Sequence, residues 1–148
     1  MSWYVCARPA AYYSHEGIHV AQVNGSSVQS ELVYPGRFTL LNIADWSPDG
    51  RQLVVAQQDG GTTLLEGEIE YIYTIKVMDL ASREVRVLLP VDHGKLLTDL
   101  SWSADGKYIF YTLLVSGGTS QIWWLDVNNG TTGPITNTIN ARYANWSD

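Results

Sequence analysis

An all-β chain built from repeated four-stranded antiparallel units is the fold class this sequence predicts, and three observations predict it. Trp46-Ser47-Pro48-Asp49-Gly50 recurs as Trp102-Ser103-Ala104-Asp105-Gly106, and Trp146-Ser147-Asp148 stands at the end of the chain. A second landmark, Ile75-Lys76-Val77-Met78-Asp79-Leu80, matches Ile122-Trp123-Trp124-Leu125-Asp126-Val127 and, more loosely, Ile18-His19-Val20-Ala21-Gln22-Val23. From each of these isoleucines to the next repeat tryptophan the distances are 28, 27 and 24 residues. Third, no capped segment carries apolar residues at helical spacing.

Each element follows from local chemistry. Leu53-Val54-Val55-Ala56 and Tyr108-Ile109-Phe110-Tyr111-Thr112 are short apolar runs rich in β-branched and aromatic residues, bounded by turn formers, and read as strands. Ser47-Pro48-Asp49-Gly50 places Pro where a type I turn needs φ near −65°, with Gly closing it. Asn24-Gly25 between Ile18–Val23 and Ser26–Leu32 signals a tight hairpin, and Asn128-Asn129-Gly130 holds the same place in the last repeat. A unit therefore has one strand ending at the tryptophan, one after the Asp-Gly turn, one at the isoleucine landmark and one after the next turn. Four-stranded units at a period of ~40–45 residues describe propeller blades. The tryptophans at 102 and 146 are 44 residues apart; those at 46 and 102 are 56 apart, with the surplus in an extended hairpin over 57–70.

Composition sets the function classes aside. The 148 residues are 45% hydrophobic and only 16% charged, with six Trp, nine Tyr and two Phe, which excludes disorder. A formal net charge of −6 argues against nucleic-acid binding, and no apolar run is long enough to span a bilayer as a helix, so neither nucleic acid nor membrane is an expected partner. The single Cys6 excludes an internal disulfide framework and a cysteine-cage zinc site.

With Trp-Ser-Pro-Asp-Gly, an apolar strand and Ile-x-Val-Met-Asp-Leu in succession, the repeat resembles that of TolB-type β-propellers, a WD-like pattern. It is similar also to the repeats in the N-terminal propellers of prolyl oligopeptidase-family peptidases. The resemblance covers roughly 18–148, and the first repeat lacks the Trp-Ser-Pro-Asp-Gly turn. It implies the propeller fold, which serves many roles; the function expected of this chain is a scaffold for protein interaction or assembly, with a peptidase's gating propeller and a propeller that binds a small ligand or carbohydrate as alternatives.

Counting back 14 from Ile18, as from Ile122 to Tyr108, places the second strand of the first unit at Tyr4–Arg8. The resulting division is three strands of a blade in 1–34, a second blade in 35–90, a third in 91–135, and the first strand of a further blade in 136–148. Three blades are fewer than the ~4–8 of closed propellers. Either the chain is a piece of a longer propeller, or two copies close six blades as a homodimer.

Candidate chemistry is sparse. His15, His19 and His93 fall at no ligand spacing, and no Gly-x-Ser-x-Gly nucleophile motif occurs. Asp49 and Asp105 read as turn carboxylates rather than calcium ligands. The sequons at Asn24, Asn129 and Asn145 are explained by hairpin turns and by the repeat itself. The expectation is a non-enzymatic chain with no catalytic residues, no metal and no cofactor. Partner-binding candidates are the acidic stretch Glu66, Glu68 and Glu70 in the extended hairpin, together with Trp123 and Trp124. Adjacent strand residues point to opposite faces, so one of these tryptophans packs inward and the other is either covered by a neighbouring blade or exposed as an anchor for a partner. The expected partner is a protein or a second copy of the chain.

Overall fold

The computed structural model describes residues 9–36, 43–63, 69–90, 96–115 and 119–135. Every regular element among them is a β-strand, and the strands form three separate antiparallel sheets. The chain divides into two compact units, Met1–Phe38 and Thr39–Asp148.

The first unit holds a three-stranded meander, β1 (Ala10–Ser14), β2 (Gly17–Asn24) and β3 (Ser27–Pro35), in sequential order. Its second strand in blade order is Ala10–Ser14, whereas Tyr4–Arg8 lies outside the described residues. The β2–β3 hairpin turns one residue later than the Asn24-Gly25 signal suggested. Asn24 pairs with Ser27, which leaves Gly25-Ser26 as the loop. Gly25 has φ +63, and a glycine at the first central position is the pattern of a type II′ turn, so Asn24 stays in the ladder. Ile18 is buried in this sheet.

The second unit holds two four-stranded meanders. The middle sheet is β4 (Ile43–Trp46), β5 (Gln52–Thr63), β6 (Ile69–Asp79) and β7 (Val85–Pro90); the last sheet is β8 (Leu96–Trp102), β9 (Tyr108–Val115), β10 (Thr119–Asp126) and β11 (Thr132–Pro134). The surplus of the longer repeat extends the β5–β6 ladder out to the pair Thr63 and Ile69, past a bulge at Gln58/Gly60.

Both Asp-Gly turns are built alike. In the first, the Ser47 hydroxyl donates to Asp49 Oδ1 at 2.6 Å and accepts the Gln52 N–H at 2.9 Å, while Asp49 Oδ1 also accepts the Arg51 N–H at 3.0 Å. In the second, Ser103, Asp105, Lys107 and Tyr108 repeat the same bonds at 2.6, 2.9 and 3.0 Å. Gly50 and Gly106 take φ of +71 and +75, which L side chains adopt only at a cost. Trp-Ser-x-Asp-Gly is therefore a strand end followed by a turn held by its own side chains. Ser47 and Ser103 are buried, which explains why a residue with a hydroxyl stands there.

The two sheets of this unit share one core. Val54, Ala56, Tyr73, Ile75, Val77 and Leu88 of the middle sheet meet Leu97, Leu100, Trp102, Ile109, Tyr111, Leu113 and Leu125 of the last. Two polar links reinforce this joint. The Asp45 carboxylate on β4 accepts the Trp102 N–H of β8 at 2.7 Å and the Trp46 N–H at 2.9 Å. Arg86 on β7 donates from Nη2 to the Val127 carbonyl at 3.0 Å. β4 and β8 are edge strands of their sheets, so their outward N–H groups have no ladder partner, and one carboxylate serves a donor on each.

Candidate functional site

An aromatic cleft lies on the last sheet. It encloses about 510 Å³ and is lined by Tyr108, Phe110, Trp124, Asp126, Asn129, Thr131 and Ile135. Strand alternation assembles it. On β9, Ile109, Tyr111 and Leu113 point into the shared core, which leaves Tyr108 and Phe110 on the opposite face. On β10, Trp124 lies across from Phe110 in register, and its indole meets the Tyr108 ring edge-on, with centroids 6.1 Å apart. Beneath it runs Gly133, where a Cβ would stand 3.0 Å from Trp124 Nε1, so a larger residue there requires the indole to shift by a few tenths of an ångström.

The polar side of the cleft is a hairpin turn. Asp126 Oδ1 accepts the N–H groups of Asn128 and Asn129 at 2.8 and 3.3 Å, and Asn129 Oδ1 accepts the Thr131 N–H at 2.8 Å. These bonds fix the rim, so the cleft is a preformed surface with three aromatic walls and a rigid polar edge.

The register of the two sheets says what kind of surface this is. Val54 pairs with Val77 in the middle sheet as Phe110 pairs with Trp124 in the last; Ala56 pairs with Ile75 as Thr112 pairs with Ile122. Val54, Ala56, Ile75 and Val77 are fully buried under the neighbouring sheet. Phe110, Ile122 and Trp124, at three of the four matching positions, remain half-buried, while Thr112, at the fourth, is fully buried. The cleft face is thus the counterpart of a face that one sheet earlier is covered by the next sheet.

The two neighbouring tryptophans do separate. Trp123 faces the other way, stacks on Tyr111 at 6.5 Å and packs against the shared core, while Trp124 walls the cleft. Glu70 lies on β6 opposite Thr62; Glu66 and Glu68 lie outside the described residues, as does His93. His15 is exposed beside Glu16, with 3.9 Å between Nε2 and the carboxylate. His19 stacks on Tyr12 with centroids 5.1 Å apart, and its Nε2 is 3.0 Å from the Ser14 hydroxyl. Among the described residues, no three His, Cys, Asp or Glu side chains come together in a group able to hold a metal. The Asp49 carboxyl is held below its ordinary value by the Ser47 hydroxyl and then the Arg51 N–H, and Asp105 likewise by Ser103 and Lys107.

Sequential four-stranded meanders, repeated and joined face to face, are propeller blades. No family model matches the sequence, and no curated protein matches it. Solved structures similar to this chain include the following two. One is the periplasmic gluconolactonase PpgL of Pseudomonas aeruginosa, 21% identical, with a TM-score of 0.47, covering 88% of this chain and 36% of that one. The other is TolB from Acinetobacter baumannii, 19% identical, with a TM-score of 0.38, covering 80% of this chain and 37% of that one. This chain therefore spans little more than a third of the length of either. Both are β-propeller proteins. The expectation of a non-enzymatic chain is corrected here. A gluconolactonase, an enzyme, is among the similar structures, and that finding overturns the exclusion drawn from missing motifs.

Proposed function

We propose that this chain is an assembly scaffold of the propeller type, which binds another protein surface through the aromatic cleft face of its last sheet. One observation carries the reading: Phe110 and Trp124 stand half-buried at the register positions that Val54 and Val77 occupy beneath a packed sheet. Large aromatic side chains in a preformed cleft are the usual anchors of protein interfaces, because they bury much area while losing little rotamer freedom. A rigid polar rim around such anchors supplies orientation.

The test is comparative affinity purification from the source cells with the natural chain and its Trp124→Arg variant. Proteins recovered with the natural chain and lost with the variant are the expected result. The same set recovered with both, from equally folded proteins, overturns the reading.

A further inference from the structure

The first sheet carries the other half of a sheet-to-sheet joint, and the match is one of side chains as well as of strands. In the last sheet, Tyr111 pairs with Trp123 across β9 and β10, the two rings stack, and the Tyr111 hydroxyl bonds Thr132 Oγ1 at 2.6 Å. In the first sheet, Tyr12 pairs with His19 across β1 and β2, the two rings stack, and the Tyr12 hydroxyl bonds Ser30 Oγ at 2.5 Å. The register agrees throughout: Thr132 pairs with Leu125, two residues beyond Trp123, and Ser30 pairs with Ala21, two residues beyond His19. Tyr12, His19 and Ser30 are thus the counterparts of Tyr111, Trp123 and Thr132.

Their surroundings differ. Tyr111 and Leu125 are 2% and 0% exposed, inside the core that joins the last sheet to the middle one. Tyr12 is 44% exposed, and Leu32, the partner of His19 on β3, is 40% exposed. The first sheet therefore presents, uncovered, the face with which the last sheet docks onto its predecessor. The last sheet presents, in its cleft, the face on which such a sheet is received.

Building on the reading of the cleft as a protein-binding face, we infer that its partner is a second copy of this chain: the Tyr12–His19–Leu32 face of one copy seats on the Phe110–Trp124 face of another. The observed joint between the middle and last sheets is the template, repeated between copies. Because each copy carries both faces, two copies that exchange them reciprocally about a two-fold axis are joined by two equal contacts. Burying the aromatic rings supplies the drive. The acidic net charge of −6 on each copy opposes it, so association strengthens as salt screens the repulsion.

The experiment is the solution mass of the 148-residue chain by light scattering over a dilution series, alone and in mixtures of two variants. The natural chain is expected at twice 16.5 kDa. Phe110→Arg spoils only the receiving face and Leu32→Arg only the docking face, and each variant alone is expected at 16.5 kDa. Mixed one to one they regain a dimer, because one good joint remains between them. Two misfolded chains cannot rescue each other in this way, so complementation is itself the folding control. A natural chain that stays monomeric at all concentrations overturns the inference. So does a dimer that Phe110→Arg breaks and Leu32→Arg leaves intact; that outcome retains the cleft as an interface and removes only the assigned partner face. A dimer indifferent to both variants overturns this inference and the cleft reading together.

Discussion

Replacing Asp45 by alanine tests how much one carboxylate between the edge strands β4 and β8 adds to the joint that the shared core makes. Asp45 accepts two backbone donors, Trp102 N–H at 2.7 Å and Trp46 N–H at 2.9 Å, one on each of two edge strands. A hydrogen bond to a charged acceptor contributes about 1.5–3 kcal/mol, and a donor left without a partner inside the protein costs its own desolvation. Asp45 is only half-buried, so water recovers part of the loss, and the expected destabilisation is about 2–3 kcal/mol rather than the full sum. For a unit of this size that is a fall in midpoint of roughly 8–12 °C. Asp45→Asn keeps one carbonyl acceptor, loses the charge and turns an NH2 group toward a donor; it should fall about halfway between. Thermal and urea unfolding give the magnitude, and amide exchange gives the location. Trp102 N–H should exchange much faster in the alanine variant, while Leu125 N–H, in the middle of its sheet, changes only with global stability. An alanine variant within about 0.5 kcal/mol of the natural chain, a change typical of featureless surface sites, would refute the reasoning.

Three further outcomes are expected. Thr112 is fully buried with a hydroxyl that has no hydrogen-bond partner among the described residues, so Thr112→Val should be neutral or raise stability by up to about 1 kcal/mol in urea unfolding; a loss of that size would reveal a hidden partner. Gly133→Ala puts a methyl 3.0 Å from Trp124 Nε1, which should displace the indole, change the tryptophan emission and cost about 1–3 kcal/mol by overpacking. Asp49 and Asp105 have folded pKa values below their unfolded value of about 3.9. The native state then binds fewer protons than the unfolded one, so their contribution is present above that pH and is lost as pH falls through the folded values. The double variant Asp49→Asn, Asp105→Asn should show a flatter decline in stability below about pH 4, measured by unfolding across a pH series.

What could be read from the chain alone was what depends on short range. The Ser-x-Asp-Gly turns close within five residues, so their bonds are written into neighbouring letters, as are the alternating faces of Trp123 and Trp124. Position across a hairpin is harder, because loop length varies freely. Tyr12 and His19 are 7 residues apart where Tyr111 and Trp123 are 12; counting back by a fixed interval leads to Tyr4–Arg8, outside the described residues, while the strand that pairs with β2 is Ala10–Ser14. The same variation hid the kinship of the two ring pairs, and His19 passed as an ordinary strand residue. The cleft was half visible: Trp124 stood out, but Phe110, Tyr108 and the rim joined it only through the ladder. Asp45 looked like one more acid, since its donor lies 57 residues away.

The sequential order of every sheet bears on how the chain acquires its shape. Each strand pairs with its neighbour in sequence, and each Asp-Gly turn is complete within its own hairpin, so most of the closure entropy for a meander is met locally. As the polypeptide leaves the ribosome, the middle sheet can zip before the last one exists. The bonds that then await a neighbour are few: the carboxylate of Asp45, the guanidinium of Arg86 and one apolar face. Docking, rather than strand pairing, thereby becomes the late step.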